Sequence, residues 1–296
     1  KVLMEEEEKL NGKTKLYEEY NAYQLALKIL INSFYGVLGN DYFLWNDFAA
    51  AGDVTAKGRE ILQKMMTTIT DSKCTLISVD TDGAYFAYPD DVNPHDVLAK
   101  VNKAVGEGID VEFEKEYVRM FSYAGKNYAA LSKDDKILIK GSAFKNRKKP
   151  KYFTKFIKNF LNYILHEQPE KILDEIFILK RSIADRTLHI SEIIEKQDIS
   201  FDWYQYKARE SGGKMKVFEA MERENKVDSY KKGDTVTYYI TEGDMKLKSD
   251  VTKLYDENDP DAKDYNIDYY INILDDWFET FEPLIHDYKR QLTKNV

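Results

Sequence analysis

Two short strand-like runs, Thr75 to Val79 and Ala84 to Tyr88, are separated only by Asp80-Thr81-Asp82-Gly83. A link that short, made of turn-forming residues, leads the runs into a tight antiparallel hairpin with two carboxylates at its tip. Alternate side chains on a strand share a face, so Asp80 and Asp82 converge if the turn geometry lets both reach one ion. Mg2+ prefers oxygen ligands, keeps several waters and is commonly held by one or two carboxylates plus substrate phosphates, a demand that Asp-x-Asp on a hairpin satisfies. The plain alternative is a polar turn, for which Asp and Gly are ordinary residues.

Upstream, Lys28, Asn32, Ser33, Tyr35 and Gly36 spell Lys-x3-Asn-Ser-x-Tyr-Gly. They lie near the end of an expected helix from Lys15 to Leu38, in which Leu16, Tyr20, Tyr23, Leu27, Leu30, Ile31 and Phe34 recur at helical spacing and Gly36 and Gly39 give the stop signal. Offsets of four and three place Lys28, Asn32 and Tyr35 along one face, and a cation, an amide and a phenol in one stripe suit a nucleotide. The alternative is an amphipathic helix with Tyr35 in the core and Lys28 snorkelling.

The same periodicity predicts helices from Ala50 to Thr70 and from Asp96 to Tyr117. Strands are expected from Phe121 to Leu131 and from Lys136 to Ile139, joined at Ser132-Lys133-Asp134-Asp135. The first 140 residues thus read as mixed helix and antiparallel sheet. After Pro150 the pattern turns helical, with Phe153 to Leu165, Pro169 to Leu179, Ile190 to Glu195 and Lys214 to Glu224, and a boundary near residue 141 follows. Gly233-Asp234 then opens a short strand, Thr235 to Ile240, and Asp264 to Leu284 closes the chain as an aromatic-rich helical segment.

At 296 residues and 43% hydrophobic content the chain folds rather than remaining a disordered tail. A net charge of -8 argues, on average, against a nucleic-acid partner. The charge is segregated, however. Lys140, Lys145, Arg147, Lys148, Lys149, Lys151, Lys155 and Lys158 form a stripe free of Asp and Glu, while acidic residues concentrate at Glu5 to Glu8 and Asp256 to Asp264. A solvated lysine-rich loop is the plain reading of such a run.

The single cysteine, Cys74, excludes a disulfide and a four-cysteine zinc site and fits a reducing compartment. The four histidines, His95, His166, His189 and His286, are scattered without partner spacing, which suits surface or capping roles. No apolar run reaches the roughly 18 residues of a membrane span and no secretory signal is visible, so a soluble intracellular protein with no membrane partner is expected. The first residue is Lys1 rather than Met, which suggests a start inside a longer parent.

Taken in order, the two motifs resemble those of family B DNA polymerases, where a fingers helix ending Lys-x3-Asn-Ser-x-Tyr-Gly precedes a palm hairpin bearing Asp-Thr-Asp. Lys126-Asn127-Tyr128 is similar to the family's Lys-x-Tyr element beside the primer-template duplex, and Lys140-Gly141 to the stretch leading into the thumb. Gly233 to Ile240 resembles a thumb segment of the form Gly-Asp-x-Val-x-Tyr, and Tyr269 to Pro283, more loosely, the closing helix.

The resemblance implies an α+β fold: an antiparallel palm sheet with flanking helices and a fingers helix, followed by a mostly helical thumb. Residues 1–48 would be the end of the fingers, 49–140 the C-terminal part of the palm and 141–296 the thumb. It also implies template-directed addition of dNTP to a primer 3' end with two Mg2+ ions. By resemblance Asp82 and Asp80 are the catalytic, metal-side carboxylates, with Asp80 beside the primer end, and Lys28 binds the incoming triphosphate while Asn32 and Tyr35 line the nascent base pair. Lys126, Tyr128, Lys140, Lys145, Arg147, Lys148, Lys149 and Lys151 are the expected DNA contacts, since phosphate contacts hold a duplex without reading its sequence.

Two departures stand out. Ser78-Val79 and Gly83 replace the usual Tyr-Gly before the first aspartate and Ser after the second, and nothing between Lys1 and Asn21 matches the family's Asp-x-x-Ser-Leu-Tyr-Pro metal motif. Ser200-Phe201-Asp202-Trp203-Tyr204 is only faintly like it and falls after the hairpin. The chain is therefore expected to need an N-terminal polymerase portion that supplies the missing aspartate, and to be inactive alone. The alternative from another class is a non-catalytic DNA-binding or assembly subunit retaining the fold. A sugar transferase using Asp-x-Asp would require a nucleotide-binding strand-helix-strand unit where the Lys28 helix stands.

Overall fold

The computed structural model describes residues 2–145, 148–209 and 213–294. The chain divides into two compact units, Lys1–Glu114 and Lys115–Val296.

In the first unit, α1 (Val2–Asn11) leads into two long helices, α2 (Lys15–Leu38) and α3 (Phe48–Asp71). Both long helices start where a short polar side chain takes an orphan amide: Thr14 Oγ1 accepts from the Tyr17 N–H at 3.2 Å, and Asp47 Oδ1 from the Ala50 N–H at 2.9 Å. The hairpin of β1 (Thr75–Asp80) and β2 (Gly83–Ala87) follows, then α4 (Pro94–Val105), whose Asn93 cap and leading proline suit a helix start. Met65 and Ile69 of α3, Val97, Val101 and Val105 of α4, and Cys74 form a small core, against which Leu76, Ala84 and Phe86 of the hairpin pack.

The helix expected to run on to Tyr117 stops at Val105. Gly106 and Gly108 both sit at positive φ, 95° and 85°, which takes the backbone out of the right-handed helical region. The Asn102 side chain then bonds both backbone groups of Val111, accepting from its N–H at 2.7 Å and donating to its carbonyl at 2.9 Å. The segment is thereby tied back along α4 in extended form.

The second unit opens with a three-stranded antiparallel sheet, β3 (Tyr117–Ala124), β4 (Asn127–Ser132) and β5 (Ile137–Lys140). The residue pattern predicts one strand from Phe121 to Leu131. The chain instead turns back at Gly125 and Lys126, with Lys126 at φ 66°, so that Ala124 faces Asn127 and Met120 faces Ala130. Apolar residues flank the turn closely on both sides, which hides it from an alternation pattern.

Beyond the sheet lie α5 (Lys151–Leu165), α6 (Glu170–Ala184), the short α7 (Ile190–Ile193), β6 (Glu195–Asp198), α8 (Trp203–Lys207), α9 (Lys216–Arg223), β7 (Thr235–Ile240), β8 (Thr252–Leu254) and α10 (Ile267–Lys294). The second sheet has the order β6-β7-β8, all antiparallel. The expected helix through Glu195 ends early because Glu195 pairs with Tyr238 of β7. An aromatic core joins α5 to α10: Phe160 meets Trp277 edge-on at 4.5 Å between ring centres, and Trp277 stacks on Phe281 at 4.3 Å. Among the described residues no helix is long and apolar enough to cross a membrane.

Candidate functional site

The hairpin tip is tighter than a two-residue turn of ordinary backbone would make it. Asp80 faces Gly83 across the ladder, Thr81 stands at φ 45°, and the Asp82 N–H donates to the Asp80 carbonyl at 2.5 Å. Thr81 Oγ1 donates to Asp80 Oδ1 at 2.9 Å, so the first carboxylate is oriented by its neighbour while Asp82 is exposed. A bulge at Ile77 shifts the register between Leu76 and Ser78, which changes the faces of the residues that follow it.

The donors at the tip are all carboxylate oxygens, the kind that suit a hard ion such as Mg2+. Among the described residues no group of three His, Cys, Asp or Glu converges as a metal site. Two carboxylates from this chain would therefore leave positions for water, phosphate or further protein ligands.

Lys28 and Asn32 line an open groove of about 640 Å3 between α1 and α2, together with Leu3, Met4, Leu27 and Ile31. Tyr35, one turn on, is outside that lining and 45% exposed. Ser33 is occupied by its own helix, donating to the Ile29 carbonyl at 2.8 Å. Helix α3 contacts both α2 and the hairpin strands, and is the element that connects the two motifs within this unit.

In the second unit, three of the expected duplex contacts meet at one end of the first sheet. Tyr128 pairs with Lys140, and Lys126 occupies the adjoining turn. Asn127 locks this end, accepting from the Ala143 N–H at 3.0 Å and donating to the Gly125 carbonyl at 3.2 Å. Gly141 is required there: its φ is 97°, and a Cβ would collide with the Asn127 side chain and the Lys126 carbonyl. Tyr128 is largely buried, whereas Lys126 and Lys140 are exposed.

Within the basic stripe, Lys145, Lys148 and Lys151 are exposed and Lys149 is half-buried; Arg147 lies outside the described residues. Two stripe lysines have carboxylate partners. Lys148 pairs with Asp198 at 3.0 Å, and hydrogen bonds from Thr235 and Lys148 hold that carboxyl below its usual range; Lys155 pairs with Glu192 at 2.7 Å. Sequence spacing carries no sign that Lys216 lies over the Tyr238 ring at 4.2 Å and Lys248 over the Tyr269 ring at 5.0 Å, the two tyrosines whose hydroxyls donate to buried Glu195, because the fold gathers residues that lie far apart in the chain.

The DNA polymerase family B model matches residues 1–281, and the chain belongs to that family. It is 25% identical over 283 residues to a DNA polymerase of Thermococcus sp. (strain 9oN-7), covering 91% of this chain and 36% of that protein. It is 34% identical over 148 residues to DNA polymerase 1 of Sulfolobus acidocaldarius, covering 48% of this chain and 16% of that one. The fold is similar to that of the family B DNA polymerase from Pyrobaculum calidifontis, with a TM-score of 0.65 and 25% identity over 91% of this chain and 34% of that chain. The chain thus spans about a third or less of the length of these relatives.

Proposed function

We propose that this chain is the C-terminal portion of a DNA-directed DNA polymerase that adds dNTP to a primer 3' end under template control. The observation that carries the reading is the paired-carboxylate hairpin tip in a chain of this family. In this reading residues 1–48 are the end of the fingers, 49–140 part of the palm and 141–296 the thumb. Two Mg2+ ions, when bound, activate the primer hydroxyl and stabilise charge on the triphosphate and leaving group.

Asp80 and Asp82 contribute carboxylate oxygens to that site, with Thr81 fixing the orientation of Asp80. An N-terminal polymerase portion supplies the further aspartate. Lys28 neutralises the incoming triphosphate, and Asn32 and Tyr35 lie toward sugar and base. Lys126, Tyr128 and Lys140, with Lys145, Arg147, Lys148, Lys149 and Lys151, hold the duplex through its phosphates.

The test is primer extension by the chain combined with the N-terminal portion, or by the longer parent, in Mg2+ and dNTP. Asp82→Asn is expected to abolish synthesis while leaving duplex binding intact. Extension undiminished by that substitution would replace this reading with a non-catalytic, DNA-binding or assembly role.

A further inference from the structure

Helix α6 carries two apolar faces, where a helix at the surface of a domain needs one. Ile172, Ile176 and Ile183 are buried in the core, and α5 and α10 pack on the helix. Leu173, Phe177 and Ile178 lie away from that core and are 45%, 67% and 60% exposed. Among the other described residues of the second unit, the large exposed apolar side chains stand apart from one another, as Val118, Tyr123, Tyr204 and Leu247 do, which is ordinary for a protein surface. Three on one helix, at i, i+4 and i+5, make a continuous strip, and such a strip marks a contact surface.

The residues beside the strip are ordered by charge. Glu170 and Asp174 precede Phe177 at helical spacing, Arg181 and Ala184 follow it at helical spacing, and all four are exposed. Among the described residues Arg181 pairs with Asp185 of its own helix alone, at 3.4 Å, and Glu170 and Asp174 enter no ion pair. A second copy of α6 laid antiparallel, with the two-fold axis at Phe177, brings the acidic half of each helix against the basic half of the other. Asp174 then meets Arg181 twice, the two Phe177 rings meet at the centre, and Ala184 is small enough to admit the neighbouring helix. The opposed helix dipoles favour the same arrangement, whereas a parallel pair sets like charges side by side.

We propose that α6 is a self-association surface, through which two copies of this chain pair antiparallel with Leu173, Phe177 and Ile178 at the centre and reciprocal Asp174–Arg181 contacts at the rim. The contact uses the same patch on both copies, so it closes as a dimer and does not propagate. One helix pair is small beside the roughly 1,200 Å2 or more of a stable interface, which makes the dimer weak, with a Kd on the order of 10–100 μM. The surface includes none of the residues assigned to metal, nucleotide or duplex, so it stands apart from the polymerase reading.

The full chain is studied by sedimentation equilibrium from low micromolar to several hundred micromolar concentration. The expected result is a weight-average mass that climbs toward twice the monomer value as concentration rises. Phe177→Glu is expected to weaken association at least about tenfold, with far-ultraviolet circular dichroism and the urea midpoint unchanged because the side chain is exposed. Asp174→Arg alone and Arg181→Glu alone each place like charges across the pair twice, and each is expected to weaken association about tenfold. An equimolar mixture of those two variants restores it, since both cross-helix contacts are then opposite in sign. A monomer over the whole range, association unchanged by Phe177→Glu, or a mixture that associates no more tightly than its components overturns the proposal. Primer extension reads the polymerase proposal separately, so either can fail without the other.

Discussion

Helices α2 and α5 carry the same kind of apolar periodicity, yet one is bare and the other is enclosed. No residue of α2 is buried, and Ile31 and Phe34 remain 67% and 61% exposed. In α5, Tyr152, Phe153, Phe156, Ile157, Phe160, Leu161, Ile164 and Leu165 are all buried, met by α6, α7 and the first sheet. An apolar stripe specifies which face of a helix would gain from cover, at about 25 cal/mol per Å2 removed from water. Whether cover exists depends on which other elements the chain can bring to that face.

The contrast is broken most directly by truncation. Phe160→Ala should destabilise the chain by about 3–5 kcal/mol, because the ring fills space between Trp277, Phe281 and Phe121. Phe34→Ala should cost about 0.5 kcal/mol or less. Urea unfolding midpoints measure both, and a large loss from Phe34→Ala would mean that the α2 stripe is covered in solution.

Two glycines extend the comparison to turns. Gly141→Ala faces both a left-handed backbone and a collision with the Asn127 side chain, and should cost about 1–3 kcal/mol from backbone strain alone. Gly83→Ala, at the hairpin tip, meets nothing within 4 Å and should stay within about 0.5 kcal/mol. Equal losses would show that the hairpin tip of the first unit is as constrained as the sheet end of the second.

The smallest effects concern charge, and they run in opposite directions with pH. His166 bonds Asp135 through Nε2 and the Asn162 carbonyl through Nδ1, both at 2.8 Å. Asp135 and then Asn162 raise its pKa, against opposition from burial and Arg119. A raised folded-state pKa contributes stability that is complete below the ordinary histidine value and is lost as pH rises through the folded value. Glu60, flanked by Lys64 and Lys57, is lowered to about 2, so its contribution is complete above the ordinary carboxylate value and is lost as pH falls. Melting temperatures across pH should lose part of their decline above the ordinary histidine value in His166→Gln and part of their acid slope in Glu60→Gln; identical profiles for both variants and the parent sequence would refute the assignment.

Much of the architecture is legible because it is local. Capping side chains at Thr14 and Asp47, turn residues between β1 and β2, and the β-branched and aromatic run of β7 act within a few residues, and those elements stand where the residue pattern places them, although Tyr238, Tyr239 and Ile240 are all buried where alternation expects a half-buried strand. The departures have local causes too. Periodicity overextends α4 because apolar residues flanking Gly106 and Gly108 outweigh those two glycines, and it merges β3 with β4 because Lys126 is an unusual residue for a left-handed turn position. Glu195 falls at the end of a helical pattern that is real, but pairing with Tyr238 takes it into a strand. Family membership is legible from motif order, since order along a chain survives without knowledge of any contact.

By itself the sequence determined the long helices α2, α3 and α5, the carboxylate-bearing hairpin and the order of motifs, because each is set by dihedral preference, hydrogen bonding or spacing over a few residues. Only the tertiary structure decided that α5 is enclosed while α2 is bare, and that the Tyr238 and Tyr269 hydroxyls meet at the buried Glu195 carboxylate. Those outcomes depend on contacts between segments far apart in the chain, where burial and charge must offset the entropy of closing long loops.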